Sequence, residues 1–197
     1  MRTITVEKQL YTFAELSDDA KQNVKQWLDN FEFGAENVLE DFKSITDILG
    51  FYDVTPRYSG FWSQGDGASF TGRYKYAKGA AKRIREYAGQ DAELHSIADQ
   101  LQTLQARYFY KLHARIYERS SHYAHENTVD SELTIDGEGW LPDTVQKEFI
   151  AIARRLMVWL YRTLEREYDY CNSDDAVQET CETNGYEFDA KGVICHG

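Results

Sequence analysis

The amino-acid sequence predicts an α+β fold in which antiparallel β-hairpins pack against several helices. Some segments repeat apolar residues every three or four positions, which is typical of helices, and others alternate apolar and polar residues, which is typical of strands. The strands follow one another in pairs instead of alternating regularly with helices, which favours hairpins over a parallel sheet. The chain has 197 residues, 42% of them hydrophobic, enough for a substantial core. We predict a single domain over residues 1–170 and an appendage over residues 171–197, made of a helix, a strand and a loosely ordered tail.

The N-terminal part starts with a short predicted strand, residues 3–7, and continues with two helices. Ser17 suits the N-cap of the first helix, because a hydroxyl there accepts a hydrogen bond from a first-turn amide. The apolar stripe of this helix consists of Val24, Trp27, Leu28 and Phe31. Gly34 separates the two helices, and Gly50 ends the second. The second helix has one apolar face, formed by Val38, Leu39, Phe42, Ile45 and Leu49.

The first predicted β-hairpin pairs residues 51–59 with residues 68–76. Pro56 has no backbone donor, so its strand belongs at a sheet edge or at a bulge. The second strand is expected to turn Ala68, Phe70, Tyr74 and Tyr76 to one face and Ser69, Thr71, Arg73 and Lys75 to the other. Two helices are predicted next, a short basic one over residues 78–88 and an amphipathic one over residues 91–104.

A second β-hairpin is predicted within residues 107–135, where two alternating stretches flank a turn, although the preceding helix could continue through residue 110. The longest helix is predicted from Pro142 to about residue 168, since proline suits a first turn and apolar residues recur at helical spacing. Ser173 is expected to cap a last helix, which Asn184-Gly185 ends, and a short strand is expected at residues 186–188.

The charge of the chain is strongly acidic but unevenly distributed. The formal net charge is −11, yet residues 51–90 carry three acidic and seven basic side chains. Acidity on this scale disfavours nonspecific binding to nucleic acid or to an anionic membrane, because the phosphates would be repelled. It permits docking on a basic protein surface. No apolar stretch approaches the roughly 20 residues of a membrane span, and the N-terminus does not read as a signal peptide, so a cytoplasmic location is expected.

The residue types that hold metals or form disulfides occur without the usual spacing. The three cysteines, Cys171, Cys181 and Cys195, include no C-x-x-C pair, and their odd number argues against a disulfide framework. His122 and His125 lie in a region that reads as extended, where side chains three apart point to opposite faces. We therefore expect no metal and no cofactor. Nucleophilic catalysis also lacks a signature such as G-x-S-x-G, so the chain is predicted not to be an enzyme.

The glycine-punctuated segment from Ser59 to Gly72 is the candidate functional segment. Its glycines allow close backbone approach, its polar side chains offer donors and acceptors, and Phe61 and Trp62 offer stacking surfaces. It is neither a P-loop nor a dinucleotide fingerprint, because no Gly-Lys-Ser/Thr follows and a strand comes next. A tight hairpin that satisfies its own backbone stays open as the alternative. The candidate binding residues are Arg57, Phe61, Trp62, Ser63, Gln64, Asp66, Ser69 and Arg73.

Three segments of the chain carry a resemblance to a known family. They are residues 58–70 with the sequence YSGFWSQGDGASF, followed by Gly72; residues 11–17 with YTFAELS; and residues 164–170 with LEREYDY, followed by Ser173-Asp174. Together they resemble a family of small, mostly uncharacterised proteins of tailed phages and prophages, some of which are labelled antitoxins of toxin–antitoxin systems. The resemblance implies a phage accessory protein but no known reaction, and the chain departs from the family pattern beyond residue 171.

The leading hypothesis is an accessory protein that binds a bacterial host protein and inhibits it stoichiometrically, without catalysis. The target would be a defence nuclease, as for an anti-CRISPR protein, or a toxin, as for an antitoxin. Its basic or nucleic-acid-binding surface would meet acidic, DNA-mimicking faces of this chain. Direct contact with nucleic acid or membrane is not expected, and a homodimer stays open.

Two alternatives assign a ligand to the glycine-rich segment. In the first, the segment sequesters a nucleotide-like signal, with Trp62 stacking on the base while Arg57, Arg73 and Lys75 neutralise the phosphate. In the second and weaker alternative, Asp66 and nearby acids hold a divalent metal for a hydrolytic reaction.

Overall fold

The structure is a computed structural model that describes residues 7–28, 34–119, 123–137 and 140–195. These residues form six α-helices and one four-stranded antiparallel sheet, which confirms the predicted α+β class. The helices are α1 (Asp18–Leu28), α2 (Ala35–Leu49), α3 (Ala80–Tyr87), α4 (Ala92–Arg107), α5 (Asp143–Cys171) and α6 (Asp174–Asn184). The strands are β1 (Phe51–Tyr58), β2 (Ala68–Lys75), β3 (Leu112–Glu118) and β4 (Val129–Ile135).

The sheet has the simplest possible order, β1-β2-β3-β4, in which each strand pairs with the next one along the chain. Both predicted hairpins are present, β1 with β2 and β3 with β4. Pro56 lies on the edge strand β1, as expected for a residue without a backbone donor. The β1–β2 register shifts between Tyr52 and Thr55, and Asp53 in this bulge has a φ of 53°.

One face of the sheet forms the main core together with α2 and α5. Phe42 of α2 packs edge-on against Phe70 of β2, with ring centroids 5.6 Å apart. Phe149 of α5 lies 5.2 Å from the ring of Tyr74 and 6.4 Å from that of Phe51. All five side chains are buried, and burial raises the pKa of Tyr74 to about 12. The helical and strand periodicities of the sequence therefore meet in one aromatic core.

The junction between α4 and β3 differs from the simple alternation of its sequence. Helix α4 continues to Arg107, and β3 starts only at Leu112. Between them Phe109 and Tyr110 have φ angles of 53° and 62°, a left-handed conformation that bulky residues rarely adopt. The buried Gln105 side chain supports the turn, because its amide donates to the Leu112 carbonyl at 2.8 Å and its oxygen accepts from the Leu112 amide at 3.2 Å.

The backbone contacts divide the chain into two units, residues 36–165 and residues 1–35 with 166–197. The larger unit contains the sheet and is the one described above. The smaller unit has a core of its own, formed by Phe13, Leu16, Ala20, Val24, Val177, Cys181 and Phe188. Its two chain segments meet in a bridge between Tyr11 and Phe188 and in an ion pair of 2.6 Å between Lys25 and Asp174. The sequence pattern did not predict that the described parts of residues 1–35 and of residues 166–197 pack together.

The C-terminal segment, predicted as a strand and a loosely ordered tail, is held by local hydrogen bonds up to Cys195. Phe188 forms isolated bridges to Tyr11 and Ile194 instead of a regular strand. The Asp189 carboxylate accepts hydrogen bonds from the backbone amides of Lys191 and Val193, which close a turn and lower the pKa of Asp189. Most of the predicted strand at residues 3–7, together with Phe31, His122 and His196, lies outside the described residues.

The three thiols are expected to differ in reactivity. All three are free, but Cys181 is only 2% exposed, and burial raises the pKa of its thiol to about 11. Because the thiolate is the reactive form, a disulfide reagent at about pH 8 should label Cys171 and Cys195 quickly and Cys181 only slowly. Absorbance of the released thiol measures this, and unfolding in denaturant should expose the third group. Rapid reaction of all three thiols in the native chain would contradict the packing around α6.

Candidate functional site

The loop that joins β1 to β2, residues 59–67, is closed at its base by Ser59. The Ser59 amide donates to the Gly67 carbonyl at 3.0 Å, and the Ser59 hydroxyl accepts from the Gly67 amide at 3.1 Å. The same hydroxyl donates to the Ala124 carbonyl at 3.2 Å. A Cβ atom on Gly67 would lie 2.9 Å from His125 Cδ2 and 3.2 Å from the Ala124 carbonyl oxygen. A Cβ atom here would require the neighbouring segment to shift, so glycine suits this close approach, which ties the hairpin loop to the segment before β4.

The tip of the hairpin loop is held by Asp66. One carboxylate oxygen accepts hydrogen bonds from the backbone amides of Trp62 at 2.9 Å and Ser63 at 2.6 Å, and the Asp66 amide donates to the Ser63 carbonyl at 3.0 Å. This is the arrangement by which aspartate side chains commonly stabilise turns. The Asp66 carboxylate is thus used within the loop, and the Ser59 hydroxyl is used at its base. The alternative predicted from the sequence, a tight hairpin whose polar residues form hydrogen bonds with its own backbone, accounts for Ser59 and Asp66.

The two aromatic residues at the loop tip have opposite environments. Phe61 packs between Tyr58 and Tyr161, with ring centroids 6.1 Å and 5.8 Å away. Burial raises the pKa of Tyr161, and the negative charges of Glu165 and Asp66 raise it further. Trp62, by contrast, is 80% exposed. The loop therefore has one ring that anchors it and one that it presents to solvent.

The remaining candidate residues do not gather at the loop tip. Arg57 forms an ion pair with Glu118, with its Nη1 atom 2.6 Å from a carboxylate oxygen. Ser69 is fully buried, and its hydroxyl makes no hydrogen bond within the described residues. Arg73 is exposed on β2, four residues beyond Ser69 and hence about 13 Å from it along the strand. The Nε atom of Arg73 lies 3.8 Å from a carboxylate oxygen of Asp53. The structure thus brings together Phe61, Trp62, Ser63, Gln64 and Asp66, but not the two arginines.

Within the described residues, no group of three His, Cys, Asp or Glu side chains lies close enough to hold a metal ion. His125 is engaged locally, since its Nδ1 accepts from the Asn127 amide at 3.1 Å and lies 3.1 Å from a Glu126 oxygen. His122, the other half of the H-x-x-H pair, is not among the described residues. Helix α5 has 29 residues, but neither it nor any other described helix is long and apolar enough to cross a membrane.

A second surface, which the sequence named only in part through Arg73 and Lys75, lies on the outward face of the sheet. Arg73 and Lys75 of β2 lie beside Arg115 and His113 of β3, and we call these four residues the basic sheet face. All four are exposed or half-exposed. Their outward direction was readable from the alternation in each strand. Their proximity was not, because it depends on the register between the two hairpins, which alternation leaves undetermined.

Comparison with known proteins identifies a family but no function. No curated protein and no solved structure shows significant similarity to the chain. A family model described as a domain of unknown function (DUF8835) matches residues 35–174, which include the sheet, the hairpin loop and the helices α2 to α5. Because the match covers well over half of the chain, this protein belongs to the DUF8835 family.

Proposed function

We propose that this chain is a stoichiometric binding protein that docks on another protein through its hairpin loop. The observation that carries the proposal is Trp62, which is 80% exposed on a loop whose backbone Asp66 and Ser59 hold in place. A large aromatic side chain on a preorganised backbone buries much area at little entropic cost, which is why tryptophan is enriched among interface hot spots. Ser63 and Gln64, both exposed beside Trp62, supply the polar contacts of such an interface.

The two ligand hypotheses find less support at this loop. A nucleotide needs its phosphates neutralised, but Arg57 is engaged by Glu118 and Arg73 lies towards the other end of the hairpin. A divalent metal needs free carboxylate oxygens, whereas one Asp66 oxygen already accepts two backbone amides. The geometry favours a loop that is built to present Trp62 over one that encloses a small ligand.

Charge supports a partner with a basic surface. The smaller unit carries 14 acidic and six basic side chains, whereas the larger unit carries 19 and 16. The acidic excess is therefore concentrated in residues 1–35 and 166–197. Together with the resemblance to phage and prophage accessory proteins, this supports a bacterial host protein as the partner, inhibited by occupation of a basic or nucleic-acid-binding surface.

The test is capture of the partner from bacterial host cells, followed by measurement of its affinity for variants of the chain. Trp62→Ala should weaken binding by about tenfold or more, the range of a hot-spot residue. Trp140→Ala is the matched control, because Trp140 is 83% exposed outside the hairpin loop. It should change the affinity less than twofold.

Two results would contradict the proposal. One is a partner that binds the Trp62→Ala chain as tightly as the original, and the other is an equal loss in both tryptophan variants. The electrostatic component has its own check, since the screening length falls to roughly 10 Å at 0.1 M salt. Association that is insensitive to salt would show that the acidic faces do not contribute to the interface. It would leave the role proposed for Trp62 unaffected.

A further inference from the structure

The basic sheet face places two arginines directly opposite each other on the two central strands. In the β2–β3 register Arg73 lies opposite Arg115, and Lys75 lies opposite His113. Like charges in directly opposed positions destabilise a sheet, so this arrangement is unfavourable for folding alone. It is also unexpected in a chain with 33 acidic and 22 basic residues. Positive charge is thus concentrated on this face although both sheet stability and the acidic composition of the chain disfavour it. Such a surface is suited to a negatively charged ligand.

The acidic residues on the same sheet lie at its margins. Tyr52, Arg73, Arg115 and Glu132 form one row across the four strands. Asp53 approaches Arg73 only to 3.8 Å, and His113 pairs with Asp136, which follows β4. None of the ion pairs in the described residues involves Lys75 or Arg115. The positive strip therefore runs along β2 and β3, bounded by β4 on one side and the β1 bulge on the other.

Two tyrosines accompany the positive strip. The Lys75 ammonium lies 5.2 Å from the centre of the Tyr52 ring, so this ring already makes a cation–π contact on the same face. Tyr117 follows Arg115 by two residues on β3, on the same face about 7 Å away, and its side chain is exposed. Cationic and aromatic side chains next to each other on an exposed sheet face are typical of surfaces that bind unpaired nucleotides.

We propose that the basic sheet face binds single-stranded nucleic acid, with the backbone running along β2 and β3. The paired guanidinium groups of Arg73 and Arg115 contact phosphate, while bases stack on the rings of Tyr52 and Tyr117. Guanidinium groups suit this role because they offer several donors in a planar arrangement that matches phosphate oxygens. The acidic residues of β4 keep the bound nucleic-acid strand from running across the sheet. The overall charge disfavours nonspecific binding, so this strip is a local exception that does not rest on the role proposed for Trp62.

The experiment measures fluorescence anisotropy of a labelled oligo(dT) of about ten nucleotides with the full chain at low ionic strength. The double variant Arg73→Gln/Arg115→Gln should weaken binding by about tenfold or more, and each single variant by a smaller factor. The matched control, Lys82→Gln/Lys147→Gln, removes the same net charge from exposed helical positions and should change binding less than twofold. Circular dichroism checks that each variant is folded, and the single variants provide the test if the double variant is not.

Three outcomes would overturn the proposal. The first is no binding of oligo(dT) at low ionic strength, and the second is an equal loss in the control, which would show that only net charge matters. The third is competition by poly-glutamate as effective as that by unlabelled oligo(dT), which would identify the ligand as an acidic protein segment. Binding that survives poly-glutamate but weakens in Tyr117→Leu would support stacking on the sheet.

Discussion

Replacing Phe149 with alanine is expected to lower the free energy of unfolding by about 3–5 kcal/mol. Phe149 is fully buried on α5, and its ring contacts the rings of Phe51 and Tyr74 on the sheet. Truncation removes the hydrophobic contribution of the ring and leaves a cavity between helix and strands, which rigid aromatic neighbours fill only in part. Urea unfolding followed by circular dichroism measures the loss, since a lower midpoint at unchanged slope reports stability.

Phe109→Ala provides the matched control for this prediction. Phe109 is 81% exposed, so the same truncation removes almost no buried surface and should change stability by about 0.5 kcal/mol or less. A loss at Phe109 comparable to that at Phe149 would mean that the contacts between α5 and the sheet are not the main core of the larger unit.

The secondary structure was largely predictable because it depends on local patterns. The apolar repeat from Val145 to Leu164 predicted α5, and the alternation around Phe70 and Tyr74 predicted β2. The turn at Phe109 and Tyr110 was not predictable in the same way. Its alternation continues that of β3, and the buried Gln105 side chain that stabilises the turn gives no periodic signal.

Contacts between distant parts of the chain could not be predicted from local sequence patterns. The bridge from Tyr11 to Phe188 unites two ends of the sequence, each of which shows only its own helix and turn signals. The opposition of Arg73 and Arg115 likewise depends on which residues two separate hairpins place side by side. Neither spacing nor composition contains this information, because register between hairpins is set by tertiary packing.

The hairpin loop shows how far residue types alone define a site. Its glycines and polar side chains suggested a ligand cradle, and the sequence ranked Asp66 and Trp62 together as binding residues. The geometry separates them, since Asp66 holds backbone amides while Trp62 is exposed. Arg73, to which the sequence assigned phosphate binding, lies instead on the basic sheet face opposite Arg115, a residue without any motif. The hairpin loop with its exposed ring and the basic sheet face are therefore two separate surfaces of the larger unit.

Gly50→Ala is expected to destabilise the larger unit by about 2–5 kcal/mol, the sum of a left-handed backbone penalty and a steric clash. Gly50 joins α2 to β1 with a φ of 100°, and a Cβ atom there would lie only 2.3 Å from the carbonyl oxygen of Lys75. The Gly50 carbonyl also accepts a hydrogen bond from the Lys75 amide at 3.0 Å, so the two backbones cannot separate without losing it.

Gly79→Ala is the matched control, because Gly79 has a φ of 78° with nothing within 4 Å of its Cβ position. Gly79→Ala should lower the free energy of unfolding only by the backbone penalty, about 1–2 kcal/mol, in the same urea unfolding measurement. Equal losses at both glycines would show that the close approach of Gly50 to Lys75 relaxes at little cost, and the steric part of this prediction would then be wrong.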